Sequence, residues 1–236
     1  MMVAREHEWL PATQSKENVR RIYDRLSHFY DAWTVISESK ATRRALELAD
    51  IRNGENILEA GVGTGRIFER IVAANPDGDN EGFDISPGMV AVATKRLRGA
   101  AGNYTLRVAD AYSIPNGDDS FDLIVCNYVF DLLPREDFAT VLAEFKRVLR
   151  HGGRAVITSW TWSRKWYSRF WDWLARTSPA AMAGCRPITL VPALRSAGFA
   201  GIHEEYVSQM TFPSVVIRAW NPRRPEHPRP HAPSTA

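Results

Sequence analysis

The chain is poor in the features that mark several protein classes. Its 236 residues include two cysteines, Cys126 and Cys185. They are too few and too far apart for a disulfide framework or a zinc box, and both read as reduced thiols, Cys126 as a small buried residue in a strand. No run of roughly 18 apolar residues occurs, which argues against a membrane-spanning helix. The stretch Met1–Leu10 carries Arg5, Glu6, His7 and Glu8 and lacks an apolar core, so it does not read as a secretory signal. The cytoplasm is the expected compartment. Asp77-Gly78-Asp79-Asn80-Glu81-Gly82 imitates the start of a calcium loop, but Gly88 stands where the closing glutamate is needed, so no metal is expected. Lysine is scarce as well, 5 against 25 arginines, at a net charge of only +3. Arginine favours phosphate and carboxylate partners. The balance permits contact with an anionic surface without demanding it. There is no internal repeat.

What is present is a globular composition, 44% hydrophobic and 24% charged, at a length that suits one domain with appendages. Residues 1–50 are polar and helical in pattern. Residues 51–220 form the expected domain, with an aromatic insertion over 160–200. Residues 221–236 carry Pro222, Pro225, Pro228, Pro230 and Pro233 and are expected to be disordered.

In the middle of the chain, apolar runs at Asn56–Ala60, Gly82–Ile85, Thr105–Val108, Asp122–Asn127 and Arg154–Thr158 predict strands. Helical patterns at Arg66–Ala74, Pro87–Arg98 and Glu136–Leu149 lie between them, the last ending in Arg150-His151-Gly152-Gly153, a basic and glycine stop. Such alternation predicts an α/β fold: a doubly wound, mostly parallel sheet with helices on both faces. Ligands of such sheets bind beyond the carboxyl ends of the strands, at the switch point.

The first strand runs into Glu59-Ala60-Gly61-Val62-Gly63-Thr64-Gly65-Arg66. Gly61 allows a tight turn, Gly63 lets a ligand approach the backbone, and Gly65 lets the next helix pack close. A dinucleotide fingerprint would need glycine where Arg66 stands, and the acid Glu59 is foreign to it. Asp84 ends the second strand, where a carboxylate can accept both hydroxyls of a ribose. Ser86, before Pro87, reads as the cap of the next helix. Asp110 closes the third strand and Ala111 follows. One such acid alone would read as structural; three acids closing successive strands around one glycine loop read as a site.

These motifs in this order, with Phe121-Asp122-Leu123-Ile124-Val125 and Leu149-Arg150-His151-Gly152-Gly153 downstream, resemble the class I S-adenosylmethionine-dependent methyltransferases over roughly residues 16–160. The resemblance implies a seven-stranded Rossmann-like sheet whose final antiparallel hairpin is Ile202–Val207 and Val215–Trp220. It also implies S-adenosylmethionine as cofactor. Gly61 and Gly63 would line its methionine part with Glu59 near the amino group, Asp84 would hold the ribose, Ile85 would cover the adenine, Asp110 and Ala111 would meet the adenine edge, and Asn127 would face the methionine.

Tyr23-Asp24-Arg25-Leu26-Ser27-His28-Phe29-Tyr30-Asp31 is similar to the opening of quinone-biosynthesis C-methyltransferases and bacterial phospholipid N-methyltransferases. By that likeness residues 1–50 form a helical lid, with Tyr23 and Tyr30 over the cofactor or, alternatively, packed on a surface helix. Asn127-Tyr128-Val129-Phe130-Asp131 departs from the arginine-asparagine signature of the quinone enzymes. It also lacks the prolines of nucleic-acid adenine methyltransferases, so no nucleic acid is expected.

The expected activity is methyl transfer to a lipophilic small molecule, quinone-like or phospholipid-like. A nicotinamide oxidoreductase and a non-catalytic binding protein are the alternatives. His28, Tyr128 and Asp131 are candidate bases, none of them assignable from sequence.

Five of eight tryptophans lie between Trp160 and Trp173. On a helix, Trp162, Trp166, Tyr167, Phe170, Trp171, Trp173 and Leu174 share one half, opposite Arg164, Lys165, Arg169 and Arg176. Residues 160–176 therefore read either as a roof over the acceptor or as contact with an anionic membrane face, which would make the protein peripheral on the membrane.

Overall fold

The computed structural model describes residues 10, 21, 39–178 and 184–223. Tyr23, His28 and Tyr30, most of the N-terminal segment expected to form a lid, and the proline-rich tail beyond Arg223 lie outside the described residues.

The core is one seven-stranded sheet in the order β3-β2-β1-β4-β5-β7-β6. Its strands are β1 (Asn56–Ala60), β2 (Asp79–Asp84), β3 (Asn103–Val108), β4 (Phe121–Asn127), β5 (Leu149–Trp160), β6 (Ala200–Gln209) and β7 (Phe212–Trp220). The first five run parallel; β7 is antiparallel to both β5 and β6. This is the doubly wound Rossmann-like sheet with its closing hairpin. Strand order reverses between β1 and β4, so their carboxyl ends flank the crevice where such sheets bind ligands.

Alternation within the strands decides which helix covers which face. Leu58, Ile124, Cys126, Ala155, Ile157, Val215 and Ile217 point to one side, where α4 (Phe138–Val148) and α6 (Val191–Ser196) bury Phe145, Leu142 and Leu194 on them. Ile57, Leu123, Val125, Val156 and Val216 point to the other, under α1 (Ser39–Ala49) and Ile71 of α2 (Arg66–Ala74). Between α2 and β3, Phe68, Val72, Ala93 and Leu97 bring in α3 (Pro87–Arg96).

Helix α1, counted above with the N-terminal segment, is tied to the sheet by Arg154. Its guanidinium reaches both oxygens of Glu55 at 2.8 Å and the carbonyls of Ala49 and Asp50. Burial acts to raise the Glu55 pKa, but the Arg154 hydrogen bonds and the Arg52 N–H outweigh it and hold that carboxyl below its ordinary range.

Two expectations need correction. Arg150-His151-Gly152-Gly153 does not merely stop a helix. Helix α4 ends at Val148 and β5 begins at once with Leu149 opposite Phe121. Pairing then resumes at Leu123 with Arg154, so the glycines take up a bulge within the strand. The aromatic stretch is also no single helix. Trp160 closes β5, a 3-10 turn spans Trp166–Ser168, and only Arg169–Thr177 (α5) is α-helical.

Candidate functional site

Each glycine of the loop after β1 has its own reason. Gly61 and Val62 both donate to the carbonyl of Phe83, which turns the chain sharply off the sheet. Gly61 stands at φ +79°, and a Cβ there would lie 2.3 Å from the Val129 side chain. Gly65, at φ +81°, precedes α2, and a Cβ there would lie 2.9 Å from Ala93 of α3. Gly63, at φ +52°, has nothing within 4 Å of the Cβ position. Two glycines are thus demanded by the fold. The third is left open toward the crevice, as the reading of close ligand approach requires.

Asp84 meets this loop directly. Its carboxylate accepts the Gly63 N–H at 2.9 Å and the Ser86 N–H at 2.9 Å. Each oxygen can accept more than one hydrogen bond, so the group can brace the loop and still receive a ligand hydroxyl. Ser86 caps α3 by accepting from Met89 N, as its place before Pro87 predicts.

Ile85 is half-buried beside Asp84. On the far side of β2, Asp110 accepts the Tyr112 N–H and Ala111 is buried against the core. A strap not foreseen from the sequence holds this corner. The Tyr112 hydroxyl donates to Asp137 at 2.6 Å, while Glu144 and Arg147 of α4 grip the backbone of Ile114. Burial and the Asp137 carboxylate push the Tyr112 pKa up.

On the face shared with Leu123 and Val125, Glu59 stands one residue before the end of β1, Asn127 ends β4, and Thr158 of β5 pairs with Asn127. Glu59 Oε2, both polar atoms of the Asn127 amide and Thr158 Oγ1 are buried without a hydrogen-bond partner. Such atoms are costly unless something satisfies them. Burial pushes the Glu59 carboxyl well above its ordinary range; the nearby Asn127 amide pulls it back somewhat, and the Asp84 charge adds to the rise. A buried acid, an amide with both atoms available and an open glycine suit a ligand that carries an amino group and a carboxylate. The residues present therefore fit the amino-acid end of S-adenosylmethionine, with Asp84 fitting its ribose.

Beyond Thr158 the same face turns aromatic. Trp160 and Phe212 lie 5.3 Å apart between ring centres, and Trp171 of α5 meets Phe212 edge-on at 5.1 Å. Tyr128 joins them, held at φ +57° by its N–H to the Thr158 carbonyl and by its hydroxyl, 2.8 Å from Ser214 Oγ. Leu10, Leu174 and Cys185 complete the cluster. Its members come from six separate parts of the chain, around residues 10, 128, 160, 171–175, 185 and 212, and the tryptophan-rich run that begins at Trp160 is the sign of it in the sequence.

Of the candidate bases, Tyr128 points into this wall and bonds Ser214. Asp131 is fully buried and accepts the backbone N–H of Trp160 at 2.8 Å beside Arg186, whose guanidinium donates to the Asp131 carbonyl. That geometry positions the end of β5. His28 is outside the described residues.

A family model described as a methyltransferase domain matches residues 57–153. Among curated proteins, the aklanonic acid methyltransferase of Streptomyces sp. strain C5 is 33% identical over 147 residues, 61% of this chain and 66% of that protein. The demethylmenaquinone methyltransferase of Thermotoga maritima is 32% identical over 148 residues, 61% of this chain and 62% of that protein. In both cases the match spans slightly less than two thirds of the relative. The nocamycin O-methyltransferase of Saccharothrix syringae is 30% identical over 205 residues, covering 78% of this chain and 72% of that one. Among solved structures, a [4+2]-cyclase superposes with a TM-score of 0.71 at 18% identity over 91% of this chain and 99% of that chain. That likeness shows the fold, and a fold alone does not name the reaction.

Proposed function

The chain belongs to the class I S-adenosylmethionine-dependent methyltransferase family, and on that premise we propose that it methylates a lipophilic small molecule, quinone-like or phospholipid-like. The observation that carries this reading is the junction at Thr158: on one side buried polar atoms without partners, on the other a wall of rings. S-adenosylmethionine, when bound, supplies a methyl group on a cationic sulfur. Asp84 would hold the ribose, Ile85 and the Asp110-Ala111 corner the adenine, and Glu59, Gly61, Gly63 and Asn127 the methionine part.

Trp160, Phe212, Trp171 and Tyr128 then serve the acceptor. Trp171, half-buried, offers a flat molecule a stacking face, while Trp160, Phe212 and Tyr128, buried behind it, exclude water and tolerate a nearby positive charge. Alignment of this kind can supply about 7–11 kcal/mol of a transfer barrier. A quinone-like acceptor suits the rings, and the demethylmenaquinone methyltransferase relative supports that choice. The missing arginine-asparagine signature keeps phospholipid-like acceptors in the proposal.

Calorimetric titration with S-adenosylmethionine and with NAD is expected to show binding of the first only. Incubating the protein with labelled S-adenosylmethionine and, separately, quinone and phospholipid extracts is expected to put label into one lipophilic fraction. Binding of NAD alone would favour an oxidoreductase. Cofactor binding without label in any fraction would favour a non-catalytic protein and end the acceptor proposal.

A further inference from the structure

The 3-10 turn Trp166–Ser168 and helix α5, which continues it, together carry two aromatic faces with different surroundings. Ala175 and Ser168 are buried and Trp171 and Leu174 pack inward on the wall of Trp160 and Phe212. On the opposite side Trp166 is 83% exposed, Phe170 and Trp173 56% each and Tyr167 40%. These four rings recur at helical spacing and touch one another, Trp166 with Tyr167 at 5.8 Å and Phe170 with Trp173 at 5.7 Å. Trp162, expected among them, is instead buried in the loop before the helix under the Arg176 guanidinium, 5.0 Å away. A patch of four large rings held out to water by this turn and helix is costly for a monomer unless something covers it.

The charges around the patch say what would cover it. Asp172, the acid of this helix, is turned inward and accepts from the N–H and hydroxyl of Ser163. Arg164 pairs with Glu204 and lies 5.5 Å from the Tyr206 ring. Lys165 and Arg169 are exposed beside Trp166 and Phe170 and form no ion pair among the described residues. The outward face thus offers rings flanked by cations, with its acids engaged elsewhere. A second copy of the chain in a two-fold contact through this face would add a second set of the same cations and no acid to pair with them. An interface of water and anionic lipid takes both parts: tryptophan and tyrosine at headgroup depth, lysine and arginine on the phosphates.

We propose that the outward face of α5 docks on an anionic lipid bilayer. This deepens the acceptor reading above and rests on it for its purpose. The inward face of the same helix forms the aromatic wall, so docking would bring the wall to where a lipophilic acceptor resides.

The test is co-sedimentation of the full chain with phosphatidylcholine vesicles, with and without phosphatidylglycerol. Wild type is expected in the pellet with phosphatidylglycerol and more weakly without it. At about five-fold per cation, Lys165→Gln with Arg169→Gln should weaken binding to the anionic vesicles about thirty-fold and leave binding to neutral ones alone. Trp166→Ser with Phe170→Ser should weaken both about ten-fold or more, at high salt as well, because the apolar part is removed. Both variants should bind S-adenosylmethionine like wild type, which separates this test from that of the methyltransferase reading. Three results would overturn the proposal. Wild type could stay in the supernatant with anionic vesicles, or Trp166→Ser with Phe170→Ser could pellet as wild type does. Light scattering could instead show a wild-type dimer that the same change dissolves while vesicles go unbound.

Discussion

At the crevice between β1 and β4 the chain presents backbone and short polar side chains: Gly63 with empty space at the Cβ position, the Asp84 carboxylate, the Asn127 amide. Two strands away, at the end of β5 and the start of β7, it presents rings, with Trp160, Phe212 and Trp171 packed within 5.3 Å of a neighbouring centre. On the reading proposed above, the polar half recognises one fixed molecule through a few obligatory atoms, and the aromatic half excludes water and aligns, a task many combinations of rings can do. Damage to the first should appear in cofactor affinity, and damage to the second in stability and acceptor use.

The largest effect should come from Trp160→Ala. Removing a fully buried tryptophan is expected to cost about 3–5 kcal/mol in denaturant unfolding. A cost below about 1 kcal/mol would mean that the wall is loosely assembled and the contrast between the halves is false.

Next, Asp84→Ala should weaken S-adenosylmethionine binding by about 1.5–3 kcal/mol, the scale of hydrogen bonds to a charged group. Calorimetry on the folded variant checks it, and an unchanged dissociation constant would remove Asp84 from the site.

The glycines sharpen the same line. Gly63→Ala should cost about 1–2 kcal/mol of backbone strain at its positive φ while reducing cofactor affinity. Gly61→Ala carries that strain plus the collision with Val129, so its thermal midpoint should fall further than that of Gly63→Ala.

The smallest effect is a slope. Burial raises the Glu59 pKa in the folded chain, so folding takes up protons, and this group's contribution to stability is lost as pH rises above about 4.5 toward the raised value. Glu59→Gln abolishes that loss. The cofactor-free variant should have a flatter dependence of thermal midpoint on pH between about 5 and 8 than wild type, and bind S-adenosylmethionine less tightly.

Legibility from the sequence follows the same division. Strand β1 and helix α2 stand at the residues their patterns predict, and Gly61, Gly63, Asp84 and Ser86 meet as a loop, a brace and a cap because each is specified within a few residues of its neighbour. Strand β5 is longer than its apolar run at both ends. Leu149 pairs only because Phe121 of β4 lies alongside, and Trp160 because β7 does. The aromatic stretch was harder still. Its period suits one amphipathic helix, but Trp160 is claimed by the sheet, Trp162 by the Arg176 contact, and Trp171 by Phe212, none of them near in sequence.

The pairing of β7 between β5 and β6 also imposes an order on synthesis. When Tyr128 leaves the ribosome, β1, β2 and β4 have been delivered and the crevice can begin to close. The hydroxyl of Tyr128 must wait for Ser214, 86 residues later. At roughly 5–20 residues per second that is on the order of 4–17 s, and for about the second half of it Trp160 and Trp171 are both out of the ribosome without the strand that shelters the wall. The nascent chain is stickiest just before its last strand arrives, and that interval is where a chaperone would do most for its yield.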